Sequence, residues 1–151
     1  MLRTRLDAAL KAALRARDEC ATSTLRLILA AIKDRDIAER GKGNPSGLSD
    51  EQILALLQSM IKQRQESIRL YRLGGREDLA RQEADETVVI EQFLPPQMDE
   101  RGIEEAVTAA IAELEAKTLK DMGRVMSLLK ARYAGQMDLK KAGVLLKERL
   151  R

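Results

Sequence analysis

The apolar residues of this chain recur at helical spacing along its whole length, and this pattern constrains the fold more than any other feature. Near the start, Leu2, Leu6 and Leu10 return every fourth position, and similar stripes follow along the rest of the sequence. The β-branched run at residues 87–90 lies inside a helical period and is too short to predict a strand. The sequence therefore predicts an all-α protein.

Capping and turn residues divide this pattern into seven predicted helices. Ser49 and Gln52 form a capping-box pattern at the start of the third helix, and Gly74–Gly75 should end it at Leu73. The remaining boundaries are predicted at Leu2 and Leu14 for the first helix, about Glu19 and Glu39 for the second, about Arg76 and Phe93 for the fourth, and at the starting residues Asp99, Thr118 and Asp138 for the last three.

The pair Pro95–Pro96 ends the fourth helix and forces an extended connection. It separates residues 1–94, which should form an N-terminal helical bundle, from residues 95–151, which should form a small three-helix bundle. The second part is close to the lower size limit for independent folding. The sequence thus predicts a two-domain helical protein.

The chain contains no histidine and a single cysteine, Cys20. Nucleophile pairs of the Ser-His-Asp or Cys-His kind and histidine-based zinc sites are therefore excluded. The glycines at residues 41–43 and 74–75 follow no strand and match no phosphate-binding fingerprint. The sequence accordingly predicts no metal and no cofactor, and Cys20, which lies beside acidic residues, is predicted to be inert.

A lone cysteine cannot form an internal disulfide, which favours a reducing compartment, and we expect a cytoplasmic protein. The arginine-rich segment 1–17 lacks the apolar centre of a signal peptide. It could be read as a transit peptide, but its leucine spacing equally fits a first core-facing helix. The longest uncharged run, residues 52–61, has ten residues, fewer than the roughly 18 that indicate a membrane span.

Charge is concentrated near the end of the chain. Residues 118–151 carry nine basic and three acidic side chains, whereas residues 95–117 carry two basic and six acidic ones. A positive helical surface attracts phosphate backbones, although lysine and arginine also simply solvate exposed helix faces. The candidate RNA-binding residues, chosen by their helical spacing, are Lys120, Arg124, Lys130, Lys140, Lys147 and Arg151.

Gly123 is unusual because it lies inside a predicted helix, where glycine costs about 1 kcal/mol relative to alanine. Glycine at such a position allows another backbone to come close. The approaching group is either a neighbouring helix or a bound ligand, and the sequence alone leaves both open.

Three segments together resemble the YqeY family: Gly74–Ala80, Leu94–Met98 and Lys120–Met126. The resemblance covers essentially the whole chain and implies a small, cytosolic, bacterial, all-helical protein. It also implies that residues 95–151 are similar to the tail domain of GatB, a subunit of the tRNA-dependent amidotransferase. In that enzyme the tail helps to hold tRNA, while the amide chemistry occurs elsewhere.

Proteins of this family often carry the label of a carbon–nitrogen ligase that uses glutamine as amido donor. No catalytic set for that reaction is visible in this sequence, so we expect no catalytic residues and no complete enzyme. The favoured hypothesis is an accessory module that binds tRNA or another structured RNA. The alternative is a protein-interaction module that docks on an amidotransferase or aminoacyl-tRNA synthetase and binds no RNA itself.

Overall fold

The computed structural model describes residues 1–151 and contains seven α-helices and no strand, which confirms the predicted all-α class. A short 3₁₀ turn at Leu119–Asp121 precedes the sixth helix. No helix combines the length and the apolar character needed to cross a membrane. The helices are α1 (Leu2–Ala16), α2 (Glu19–Gly41), α3 (Asp50–Leu73), α4 (Glu77–Glu91), α5 (Glu100–Leu114), α6 (Met122–Arg132) and α7 (Leu139–Arg149).

The helices fall into two compact units, residues 1–94 with α1 to α4 and residues 95–151 with α5 to α7. In the N-terminal unit, α3 and α4 form a long helical hairpin, and α1 and α2 complete the bundle. Its centre consists of fully buried aliphatic side chains supplied by all four helices, among them Leu6, Ile28, Ile53 and Ile90.

The predicted ends of α3 are confirmed. The Ser49 hydroxyl accepts a hydrogen bond from the Gln52 N–H at 3.2 Å, and the Gln52 side chain accepts one from the Ser49 N–H at 2.9 Å. The helix ends at Leu73, and Gly75 takes the left-handed conformation, with φ of 72°. Satisfying these backbone groups at both ends fixes where the helical hairpin begins and turns.

A partly buried ion pair stabilises the connection between α2 and α3. Asp36 receives two hydrogen bonds of 2.8 Å from the Arg3 guanidinium and a third of 2.8 Å from the Leu48 N–H. Arg3 also donates to the Leu48 carbonyl at 2.9 Å. Gly47 has φ of 73°, and a Cβ there would lie 2.3 Å from the Asp36 carboxylate, so only glycine fits this turn.

In the C-terminal unit, α5, α6 and α7 pack around a core of fully buried residues that includes Val107, Val125 and Leu146. Met137, from the connection between α6 and α7, is 1% exposed and belongs to the same core. The segment before α5 is joined to this connection because the Met98 N–H donates to the Gln136 carbonyl at 2.8 Å. This backbone hydrogen bond therefore closes the unit together with the apolar packing.

The start of the sixth helix differs from the prediction. The capping box of Thr118 and Asp121 is present, but it opens a 3₁₀ turn, and α6 itself begins at Met122. The Asp121 carboxylate accepts the N–H groups of Lys117 and Thr118 at 2.9 and 3.3 Å, which tightens this turn. These N–H groups, together with the guanidinium of Arg124, lower the pKa of Asp121 to about 2.

Replacing Asp36 with asparagine is expected to lower the free energy of unfolding by about 1–3 kcal/mol at neutral pH, because the charge-assisted hydrogen bonds to Arg3 are lost. Arg3 and the Leu48 N–H lower the pKa of Asp36 from 3.8 to about 2. A depressed folded-state pKa stabilises the fold above the unfolded-state pKa, and this stabilisation is lost as the pH falls through the folded-state value. The deficit of Asp36→Asn should therefore shrink as the pH falls from about 4 towards 2.

Urea denaturation at several pH values measures this deficit. Asp34→Asn is the matched control, because Asp34 lies exposed on the same helix and makes no ion pair. An equal loss of stability in both variants, or a deficit that does not change with pH, would contradict the role assigned to Asp36.

Candidate nucleic-acid interface

All six candidate RNA-binding residues are exposed in the structure. Arg124 and Lys130 lie on α6, and Lys140 and Lys147 lie on α7. The other two candidates lie outside the helices, Lys120 in the 3₁₀ turn and Arg151 after the end of α7. Of these six, Arg124 makes side-chain contacts within the C-terminal unit.

The arginines of α6 and α7 are turned towards α5. Arg132 makes a bidentate ion pair with Glu113, with both N–O distances at 2.6 Å. Arg124 donates to Asp121 at 2.8 Å and to the carbonyl of Leu114 at 3.4 Å. On α7, the guanidinium of Arg149 donates to the hydroxyl of Thr108.

The exposed lysines of this region have no such partner. Lys120, Lys130, Lys140 and Lys147 make no ion pair and no side-chain hydrogen bond in the structure. Since lysine keeps its charge at neutral pH, these four side chains present uncompensated positive charge to solvent.

Helical geometry places Lys130 of α6 and Lys140 and Lys147 of α7 on the side away from α5, whereas Lys141 is turned about 100° from Lys140. Lys130 stands two residues before Arg132, and Lys147 stands two residues before Arg149. A separation of two residues corresponds to about 200° around a helix, so each lysine lies nearly opposite the arginine that bonds to α5. Lys140 is seven residues from Lys147 and shares its side of α7 to within about 20°.

Gly123 joins the same surface from α6, because it is seven residues before Lys130 and lies within about 20° of it around the helix. The two helices meet beside it, where a Cβ on Gly143 would lie 4.0 Å from the Met122 side chain. We call the surface formed by Gly123, Lys130, Lys140, Val144 and Lys147 the α6–α7 face.

Gly123 itself is exposed, and a Cβ built on it would meet no atom within 4 Å. Gly123 therefore makes no close helix–helix contact within the C-terminal unit. The space beside the α6 backbone is free for a ligand that approaches closely.

The remaining nucleophile and acid candidates lie in the N-terminal unit. Cys20 is half-buried, and burial raises the pKa of its thiol, which disfavours the reactive thiolate. Arg64 bridges Glu86 at 3.1 Å and Glu83 at 3.9 Å, and burial together with the neighbouring Glu86 raises the pKa of Glu83. No group of three or more potential ligands converges on a possible metal position. These residues form an ion-pair cluster around Arg64 and a half-buried thiol whose pKa is raised.

The fold is thus that of an all-helical protein of two units, the second of which carries a lysine-bearing face. The chain belongs to the family of Yqey-like proteins, whose pattern it matches over residues 3–150. This match confirms the family that the three sequence segments indicated.

Curated relatives share the name "Altered inheritance of mitochondria protein 41, mitochondrial". The protein from Pyrenophora tritici-repentis is 33% identical over 133 residues, which cover 85% of this chain and 71% of the relative. That from Saccharomyces cerevisiae strain YJM789 is 29% identical over 134 residues, covering 87% and 67%. That from Lachancea thermotolerans is 31% identical over 108 residues, covering 70% and 56%.

These relatives contradict the predicted cytoplasmic location, because their names place them in mitochondria. They are also eukaryotic proteins, so they do not support the bacterial origin that the resemblance implied. The cytoplasmic prediction failed for a physical reason: one cysteine excludes an internal disulfide but does not distinguish one compartment from another.

Gly123→Ala is expected to raise the free energy of unfolding by about 0.5–1 kcal/mol, because alanine restricts the unfolded chain and the new methyl group meets no neighbour. Urea denaturation measures the change. Gly102→Ala is the matched control, since its Cβ would lie 3.2 Å from the Asp99 carboxylate that caps α5. Gly102→Ala should raise the free energy of unfolding less than Gly123→Ala does. A loss of stability in Gly123→Ala would show that the space beside Gly123 is not open.

The purified chain is expected to release no ammonia from glutamine, because burial disfavours the thiolate of Cys20 and the nearby carboxylates are held by Arg64. A coupled assay for ammonia tests this, with Cys20→Ala as the control. Release by the natural chain that disappears in Cys20→Ala would overturn the prediction.

Proposed function

We propose that this protein is an accessory module that binds tRNA or another structured RNA through the α6–α7 face. The observation that carries the proposal is that Arg124, Arg132 and Arg149 bond towards α5, while the unpaired Lys130, Lys140 and Lys147 lie on the opposite side. When unpaired lysines contact phosphates, the counterions condensed on the nucleic acid are released. This release supplies most of the affinity of a sequence-independent contact.

The distribution of acidic residues also favours approach of an RNA from the side of the α6–α7 face. Residues 95–117, which include α5, carry a formal charge of −4, from two basic and six acidic residues. Residues 118–151 carry +6, from nine basic and three acidic residues. A polyanion is therefore repelled at α5 and attracted to the α6–α7 face.

An RNA partner fits this face better than a protein partner does. The large apolar side chains exposed in the C-terminal unit are Leu119 and Val144, at 46% and 57%. Protein interfaces have apolar, aromatic-rich centres, whereas nucleic-acid interfaces are polar and strongly positive. The lysines around Val144 match the second description.

The resemblance of residues 95–151 to the tail of GatB favours tRNA as the RNA and an amidotransferase as the related enzyme. On this proposal the chain contributes binding, and its role is to hold an RNA for another protein. The competing hypothesis is that the chain docks on an amidotransferase or synthetase and binds no RNA. It requires a surface of this chain that binds the partner protein directly.

Total tRNA titrated at two salt concentrations should bind with a log–log salt slope of about −2 to −3, as expected for three phosphate contacts. Changing Lys140 and Lys147 together to glutamate should remove two of these contacts and bring the slope about 1.4–1.8 closer to zero. Binding should weaken equally for all tRNA species, because phosphate contacts position an RNA without reading its sequence.

Arg101→Glu with Lys117→Glu is the matched control, since it makes the same change in net charge on exposed residues outside the α6–α7 face. This pair should leave most of the tRNA affinity intact. Absence of binding at low salt, or equal losses in the two double variants, would remove the α6–α7 face as an RNA surface and leave the protein-docking hypothesis.

A further inference from the structure

We infer that the ligand of the α6–α7 face is the sugar–phosphate backbone of a helical RNA stem, which lies across the groove between α6 and α7 and comes nearest to the protein at Gly123. This inference rests on the proposed function and adds the class of RNA structure and the point of closest approach. Neither is implied by positive charge alone.

The choice of lysine on this face favours backbone contact over base reading. Arginine reads guanine through two parallel hydrogen bonds, but Arg124, Arg132 and Arg149 donate to groups within the C-terminal unit. Lysine acts as a flexible point charge and suits phosphate oxygens. On α7, Lys140 and Lys147 are separated by about 10.5 Å along the helix axis, so they can reach two different phosphates.

The placement of the aromatic side chain in the C-terminal unit disfavours unpaired bases as the ligand. Single-stranded RNA gains much of its affinity from bases that stack on exposed aromatic rings. Tyr133, the aromatic residue of the C-terminal unit, is half-buried and packs against the core of this unit. The energy available on this face is therefore mainly electrostatic.

Electrostatic binding favours a duplex because its phosphates are more densely spaced. In a plot of log affinity against log salt concentration, each neutralised phosphate contributes a slope of about −0.9 on a duplex and about −0.7 on a single strand. For the same number of lysine contacts, a helical stem thus releases more counterions at low salt.

Gly123 identifies where the stem would pass. It is exposed, has open space beside it, and lies on α6 beside the contact between Met122 and Gly143. By helical angle, Lys130 lies on the same side of α6 as Gly123, and Lys140 and Lys147 share one side of α7. A backbone that contacts lysines from both helices must cross this groove, and a side chain at position 123 would obstruct it.

The test compares a short RNA hairpin with a single strand of the same length that cannot pair, each titrated against the full chain at low salt. The hairpin should bind more tightly and with the steeper salt slope. Gly123→Leu should weaken hairpin binding about tenfold, as expected when a bulky side chain enters a close contact, while the thermal transition stays within a few degrees of that of the natural chain.

Ala112→Leu is the control, because it adds the same side chain to an exposed position on α5 and should leave hairpin affinity unchanged. Gly123→Ala is a second variant, which keeps the fold and should lower affinity less than leucine does. Lys130→Glu should weaken the hairpin as Lys140→Glu does, since both lysines lie on the α6–α7 face.

The outcomes separate this inference from the proposed function. If tRNA binds through the lysines but hairpin and single strand bind equally, or Gly123→Leu binds like Ala112→Leu, the stem assignment is wrong and RNA binding stands. If neither RNA binds at low salt, the proposed function itself fails.

Discussion

Three arginines bonded towards α5 determine how the C-terminal unit presents its charge. Arg132 is held by Glu113, Arg124 by Asp121 and the end of α5, and Arg149 by Thr108. Because Arg132 and Arg149 face α5, the helical repeat turns Lys130 and Lys147, each two positions earlier, to the other side. The exposed ion pairs contribute little stability individually, so their main effect is on the direction in which the charge faces.

The helices could be predicted from local sequence because their signals are local. Apolar spacing selects the buried side of each helix, and Ser49 with Gln52 satisfies backbone groups within one turn. Arg17 and Glu115 were not predictable as ends of α1 and α5, because each takes a left-handed φ, of 55° and 52°, that glycine usually supplies. At each end the next N–H closes the helix, since Asp18 donates to the Ala13 carbonyl and Ala116 to the Ile111 carbonyl, both at 3.0 Å.

The candidate site was predictable only as a set of charges. The sequence identified the basic residues by helical spacing, which assumes a continuous helix from Thr118. The 3₁₀ turn places Lys120 before α6, and contacts with α5 draw Arg124 to another side. Such contacts depend on tertiary structure, so helical angles alone could not separate arginines that bond towards α5 from lysines that face solvent.

The opposite charges of α5 and the α6–α7 face also give the C-terminal unit an electric dipole. In the field of a polyanion, such a unit experiences a torque that turns its lysine face forward before any contact forms. Productive encounters then become more frequent, and the gain appears in the association rate constant while dissociation is set by the short-range contacts. Because this orientation acts over distances comparable to the Debye length, it weakens as salt shortens that length from about 30 Å at 0.01 M to about 8 Å at physiological ionic strength.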